Sequence, residues 1–304
     1  MSTTTGRKIV KNFSSLTISS TLDRVLRFVA YSYLARVLGV EAFGMNSLAY
    51  TAFTFFSGFG DFGIRTLGSR EIATHRDEVK RYVGNLLTMR LVLSMPAFVA
   101  MQIFGRTTGL QAEAKSLFLI YGVSVVISPR AIDWILTGLE EMQFVGGIVA
   151  LNGILNCGLL VALISRPEHL LRVAVIESGV NITTTFVLLL IALRAIGGIR
   201  LSIDAGLWRQ LWRSQVPLGL SLLLFRLFAT APTLMIGMLG SESGVGVFRA
   251  GSMIPSFLLQ VALYFADALL PVLSRSFVTD QKKLRRIVSA SFKSMATVSV
   301  PIAV

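Results

Sequence analysis

The sequence is poor in the residues that carry metal and redox chemistry. Its 304 residues include one cysteine, Cys157, and two histidines, His75 and His169. A lone thiol excludes an intrachain disulfide, and two distant imidazoles offer no ordinary metal-ligand spacing. No cofactor is therefore expected. Charge is scarce as well, at 15% of residues, where a soluble chain would carry about 25%. Long aqueous loops are missing too. No nucleophile and base, and no pair of catalytic carboxylates, has an aqueous site to project into, so an enzyme is not expected.

What fills the chain is hydrophobic residues, 53% of the total, in runs of membrane length, roughly 20 residues or more. Eight spans are predicted, at 14–38, 43–65, 82–105, 115–138, 143–165, 170–194, 212–239 and 246–274, with a ninth opening near Ile287. The expected fold class is all-α and polytopic. A secretory leader is excluded, because the first apolar stretch contains Asp23, Arg24 and Arg27, which a signal h-region does not tolerate.

The net charge of +13 could indicate nucleic acid. Its distribution argues otherwise, because the cations cluster in short connections between apolar runs. The N-terminus and the even-numbered connections hold most of them, including Arg70, Arg76, Lys80, Arg81, Arg200 and Arg209, and again Lys282, Lys283, Arg285 and Arg286. The odd-numbered connections hold few. The positive-inside rule then places the N-terminus in the cytoplasm.

An internal repeat has a period near 205 residues. Leu38-Gly39-Val40-Glu41 recurs as Leu239-Gly240-Ser241-Glu242, Ser69-Arg70 as Ser274-Arg275, Lys80-Arg81 as Arg285-Arg286, and Pro96 as Pro301. An even number of spans separates the copies, so they run parallel. Duplicated bundles facing a shared midplane site are the usual build of secondary transporters. The expected organisation is a six-helix lobe at 1–198 and the beginning of a second lobe at 199–304. Since that second lobe is incomplete, the chain reads as a fragment that would not transport alone.

Several ionisable residues fall within spans. An arginine near the bilayer centre costs roughly 2.5–3.5 kcal/mol, so Arg24, Arg27, Arg90, Arg130 and Arg226 together would cost on the order of 12–17 kcal/mol facing lipid. That rivals the net stability of a whole domain. They must pair, snorkel or line a wet cavity. Spacing favours a cavity. Ser20, Arg24, Arg27 and Tyr31 share one helix face, as do Tyr50, Thr54, Ser57 and Asp61, and Gly219, Arg226, Thr230 and Thr233. Arg249, Ser252, Ser256, Gln260 and Asp267 make a fourth stripe. Arg24, Arg27, Arg226 and Arg130 are thus candidates for contact with an anionic substrate. Asp61, Asp267 and Glu177 are candidates for gating or ion coupling. The competing reading is structural: Asp23 with Arg27, and Arg130 with Asp133, have helical spacing for neutralising each other. Asn152 with Asn156, and Glu177 with Asn181, have the character of helix-joining pairs.

The stretch Leu34-Ala35-Arg36-Val37-Leu38-Gly39-Val40-Glu41-Ala42-Phe43-Gly44, followed by Asp61-Phe62-Gly63 and Arg70-Glu71-Ile72-Ala73, resembles the Wzx-like polysaccharide flippases. These form a branch of the multidrug/oligosaccharidyl-lipid/polysaccharide exporter superfamily. Gly84-Asn85, Arg90-Leu91 and Gly244-Val245-Gly246-Val247-Phe248 fit the same resemblance. It implies two six-helix lobes around a central cavity, and as cargo a sugar repeat unit on a polyprenyl pyrophosphate. It also implies a cationic cavity, which suits Arg24, Arg27 and Arg226 as phosphate partners, because a guanidinium grips phosphate through two parallel hydrogen bonds. A polysaccharide polymerase and chain-length proteins are the prospective partners, beside the bilayer itself. Two alternatives remain open. A cation-coupled multidrug exporter would favour an acidic cavity. A membrane glycosyltransferase or polymerase would need an aqueous catalytic loop.

Topology gives the first test. A cysteine at position 76 should resist membrane-impermeant labelling of intact cells, while one at position 110 should react. Labelling at 76 but not at 110 would reverse the assignment.

Overall fold

The computed structural model describes residues 3–107, 112–128 and 132–257, and every element among them is helical. In chain order these are α1 (Thr3–Asp61), α2 (Ile64–Thr74), α3 (Val79–Thr107), α4 (Ala112–Val126), α5 (Asp133–Gly138), α6 (Met142–Leu163), α7 (Leu170–Ile196) and α8 (Ala205–Leu239). Short 3-10 turns lie at Arg76–Glu78 and Pro167–His169, and residues 242–250 are again helical. Residues 1–250 pack as one compact unit. Residues 251–304 form a second unit, whose described part, 251–257, is helical.

Four helical stretches, Arg76–Thr107, Met142–Leu163, Pro167–Ile196 and Ala205–Leu239, are long and apolar enough to cross a bilayer. In hydrocarbon the backbone must satisfy its own hydrogen bonds, which is why such runs fold as helices. The surface follows the same solvent. On α3 the exposed residues Val92, Met95, Val99 and Ile103 form one apolar face, whereas Arg90 and Ser94 are buried. Polar groups turn inward. This is a multi-pass membrane protein.

Element ends are set by a few residues. Gly39 (φ 75°, ψ 173°) occupies a region that only glycine enters readily, and it splits α1 into arms at 3–38 and 40–61, where two spans were expected. The second arm stops at Asp61 because Phe62 (φ 37°) and Gly63 (φ 84°) turn left-handed. That turn is docked onto α8. Gln215 Nε2 donates to the Phe62 carbonyl at 3.0 Å, and the Phe62 ring stacks on Trp212.

Two boundaries differ from the sequence expectation. The span expected at 115–138 is broken between α4 and α5. Ser128 precedes Pro129, and a residue before proline is pushed out of the helical region. Helix α8 starts well before the expected 212, because Asp204 caps it by accepting from the Leu207 N–H at 3.0 Å. Arg81, bonded to Asp204 at 2.7 Å, holds that carboxyl below the usual carboxylate range, with help from the Leu207 N–H. Asn85 Oδ1 accepts from the Asp204 N–H and from Trp208 Nε1. A Cβ at the adjacent Gly84 would run into the Arg200 carbonyl. The Gly84-Asn85 pair thereby clamps the α7–α8 connection to α3, and with it the register of α8.

The repeat has a structural counterpart. Gly39 divides the two arms of α1, and Gly240 ends α8 just before the next helix at 242. The copies also touch reciprocally. A Cβ on Gly44 would meet the Glu242 carbonyl, and a Cβ on Gly246 would meet the Val40 carbonyl. Gly246 follows Gly44, and Glu242 follows Val40, by the same 202 positions. A contact that maps onto itself when its partners exchange is the signature of a two-fold axis. Small residues let the two backbones approach there, as membrane helices commonly require.

This crossing gives the second test. Gly44→Ala or Gly246→Ala should lower the melting temperature in detergent, since a backbone carbonyl cannot yield as a side chain can; overpacking costs about 1–3 kcal/mol. Gly147→Ala, with open space around it, should be neutral or stabilising. Equal tolerance at all three positions would refute the close crossing.

Candidate functional site

A cavity of about 340 Å³ opens inside the bundle, between both arms of α1 and the inner faces of α2, α3, α5, α6, α7 and α8. Its walls carry five arginines, Arg24, Arg27, Arg65, Arg90 and Arg226, against three aspartates, Asp23, Asp61 and Asp133. The balance is positive, so the cavity favours an anion over a cation. Low surrounding dielectric strengthens that preference.

Both predicted stripes of α1 reach this space: Ser20, Arg24 and Arg27 from the first arm, and Tyr50, Thr54, Ser57 and Asp61 from the second. The second arm acts as a rack for arginines of other helices. Arg27 Nη1 donates to the Tyr50 hydroxyl at 3.3 Å, Arg226 Nη1 to the Thr54 carbonyl at 3.0 Å, and Arg90 Nη1 lies 3.8 Å from Asp61 Oδ1. At 1.5 Å per residue, these stations span about 16 Å along the helix. That is roughly half the hydrocarbon thickness. Gly58 makes the middle station feasible, since a Cβ there would come within 2.7 Å of Arg226 Cδ.

Arg27 is the most firmly held. Its Nε bridges both Asp23 oxygens at 3.1 and 2.9 Å, and its Nη2 donates to Asn152 Oδ1 at 3.0 Å. Asn152 is fixed in turn, donating to Asn181 Oδ1 and Thr184 Oγ1 and accepting from Asn156 Nδ2. All three guanidinium nitrogens are engaged, so Arg27 joins α1 to α6 and lends charge to the wall.

Glu177 stands behind this wall rather than in it. It is 2% exposed, and its carboxylate accepts from Tyr31 at 2.9 Å and from Tyr121. The Tyr121 hydroxyl also faces Asn46 Oδ1 at 2.9 Å. One hydroxyl hydrogen cannot serve two acceptors. With the Asn46 amide turned so that its otherwise unbonded Nδ2 donates to the Tyr121 hydroxyl oxygen, that hydroxyl gives its own hydrogen to Glu177.

Of the residues singled out from sequence, Arg24, Arg27, Arg226 and Asp61 meet in the cavity, and Glu177 connects to it through Tyr31, next to Tyr50. Arg130 and Asp267 lie outside the described residues. Sequence reasoning gave no site role to Arg65, which reaches Asp133 at 2.8 Å from α2, or to Arg90. These are contacts between helices, which spacing along one helix does not reveal. Among the described residues, no cluster of three or more histidine, cysteine or carboxylate side chains could hold a metal ion.

The profile of the family described as "Polysaccharide biosynthesis protein" matches residues 9–277. The fold is similar to a solved structure described as the inward-facing conformation of a multidrug resistance MATE family transporter of the MOP superfamily. That likeness has a TM-score of 0.65 at 19% identity and covers 92% of this chain and 68% of the other. No curated protein sequence matches.

The network behind Arg27 is testable by Asn152→Leu, which keeps the volume and removes the polar groups. It strands a guanidinium nitrogen and the Asn181 amide oxygen, while Thr184 keeps its bond to the Val180 carbonyl, and a buried unsatisfied group costs about 1–3 kcal/mol. Melting in detergent should fall clearly below wild type. An unchanged melting temperature would show that the network contributes nothing.

Proposed function

Because the chain belongs to the polysaccharide biosynthesis protein family, we propose that it is a flippase carrying a polyprenyl-pyrophosphate-linked oligosaccharide, an O-antigen or exopolysaccharide repeat unit, across the bacterial inner membrane. The observation that carries this reading is the excess of arginine in a cavity enclosed by membrane helices. Burying cations in such a place is costly unless an anionic ligand or water meets them. A diphosphate headgroup or an acidic sugar supplies the missing charge. The saccharide occupies the polar cavity while the polyprenyl chain stays in lipid, and alternating exposure of the cavity completes the transfer.

The proposed roles differ among the site residues. Arg24 and Arg226 contact the headgroup, with Arg130 as a further contact, while Arg27 sets the potential of the wall. Register supports pairing the first two, since Arg226 follows Arg24 by 202 positions, the same offset as the reciprocal glycine contacts. Asp61 gates one end, and Glu177 and Asp267 serve ion coupling, Glu177 as a proton carrier linked to the wall by Tyr31. The N-terminus is cytoplasmic, and the sugar unit enters from that side.

The multidrug exporter reading draws on the fold likeness, but an organic cation would meet five arginines in this cavity. The two readings are separable by complementing a flippase-deficient strain and, in parallel, by measuring resistance to cationic drugs.

The test places Arg24→Ala, Arg24→Lys, Arg226→Ala and Arg226→Lys in a protein that carries both lobes and restores export when unsubstituted. Alanine should abolish polysaccharide export at near-normal membrane abundance. Lysine should restore it only in part, since it keeps the charge but loses the two-pronged grip. Normal export by the alanine variants, or loss that merely tracks degradation, would overturn the assignment.

A further inference from the structure

Arg90 is a weakly satisfied cation of the cavity wall. It sits on α3 at 3% exposure and lines the cavity. Its Nη1 has no hydrogen-bond partner, and its ion pair with Asp61 Oδ1, at 3.8 Å, is too long for a hydrogen bond. The neighbouring carboxylate of Asp133 attracts Arg90 as well, but its ion pair is with Arg65, at 2.8 Å. Arg226 lies close enough to repel Arg90 electrostatically. Two guanidiniums from α3 and α8 thus line the cavity along the second arm of α1, Arg90 beside the loosely held Asp61 and Arg226 one to two turns away at Gly58 and Thr54. Asp61 itself has a long 3.3 Å bond from the Arg65 N–H.

We propose that Arg90 and Arg226 form an oxyanion subsite at the Asp61 end of the cavity, and that Asp61 is its built-in competitor. A phosphate or carboxylate oxygen entering there bonds the Arg90 guanidinium and displaces Asp61. This deepens the anion-carrying reading of the cavity and rests on it, but does not depend on the saccharide. It also gives the anion a mechanical handle. Asp61 is the last residue before the Phe62–Gly63 turn, which is bonded to Gln215 and stacked on Trp212 of α8. Freeing Asp61 loosens the end of α1 at the point where it grips α8.

The decisive feature is sign. A structural ion pair makes loss of either partner harmful in the same direction. A competitor and a binder act oppositely. The experiment titrates the purified full chain in detergent calorimetrically with inorganic pyrophosphate, with farnesyl diphosphate and with glucuronate. Asp61→Asn should tighten pyrophosphate binding several-fold. Arg90→Gln should weaken it by about tenfold or more, as expected for a lost charge-assisted hydrogen bond. Arg90→Lys should fall between wild type and Arg90→Gln, and the double variant should match Arg90→Gln. Should Arg90→Gln fail to fold, the sign at Asp61→Asn and the intermediate Arg90→Lys decide alone. The same signs with farnesyl diphosphate assign the oxyanion to a lipid carrier. The same signs with glucuronate only assign it to an acidic sugar.

Weaker binding in both single variants, no change in either, or no binding of any of the three anions would overturn the subsite. Export complementation keeps the two claims apart. The predicted signs in a protein that does not restore export retain the subsite and remove the flippase. Normal export by Arg90→Gln with unchanged pyrophosphate binding does the reverse.

Discussion

A guanidinium in hydrocarbon has to be met from within the protein, and the helix at 40–61 is where this bundle meets most of them. Its polar stripe offers Tyr50 to Arg27, the Thr54 carbonyl to Arg226 and Asp61 to Arg90. Those arginines come from the first arm of α1, from α8 and from α3, so the stripe holds three helices at fixed heights. Without it the arginines would have to face lipid, and the bundle would lose the charges that define its cavity. The apolar outer face of α3 is the complement of this arrangement: lipid accepts Val92 and Met95, and the interior must accept Arg90.

The three cations are not equally free to act. Arg27 is caged by Asp23, Tyr50 and Asn152, and Asn152 is itself bonded on three sides. Such a saturated network is costly to disturb, because each member would leave another unsatisfied in a low-dielectric surrounding. Arg90 stands at the other extreme, with a nitrogen unbonded and a long ion pair. One end of the cavity is therefore built for rigidity and the other for exchange of partners. In the proposed transport cycle, a charged headgroup can compete for Arg90 far more readily than for Arg27.

How much of this was legible in the sequence follows from the range of each interaction. The stripes at Ser20, Arg24 and Arg27, and at Tyr50, Thr54, Ser57 and Asp61, depend only on 3.6-residue periodicity, and both face the cavity. Expense in lipid likewise marked the arginines out. The pairs Arg65–Asp133 and Arg90–Asp61 join residues 68 and 29 positions apart, and no local pattern connects them. The sequence reading paired Asp133 by spacing with Arg130, which lies outside the described residues, and did not foresee that α2 brings Arg65 to it from outside its own helix. The break between α4 and α5 is a third case. Hydropathy reports an unbroken apolar run there, while a single proline decides the backbone. The triplet Asp61-Phe62-Gly63 shows the converse: sequence marked it as a motif, but its docking on α8 required the fold.

The repeat links these points. The backbone contacts at Gly44 and Gly246 relate the two copies by 202 positions, and that register carries Arg24 onto Arg226. It does not carry the other wall cations onto cations: Arg27 falls on Ala229, and Asp23 on Phe225. One arginine pair thus obeys the two-fold relation while the charges around it do not. Both members of that pair line the cavity, and guanidiniums sharing a low-dielectric space repel unless an anion meets them. A diphosphate, with oxygens on two linked phosphorus atoms, can satisfy both at once. The remainder, Arg27 with its cage and Arg90 with its long ion pair to Asp61, does not follow the two-fold relation and makes the two ends of the cavity unequal. In the proposed transport cycle, that inequality lets a charged headgroup exchange partners at the Arg90 end while the Arg27 end stays fixed.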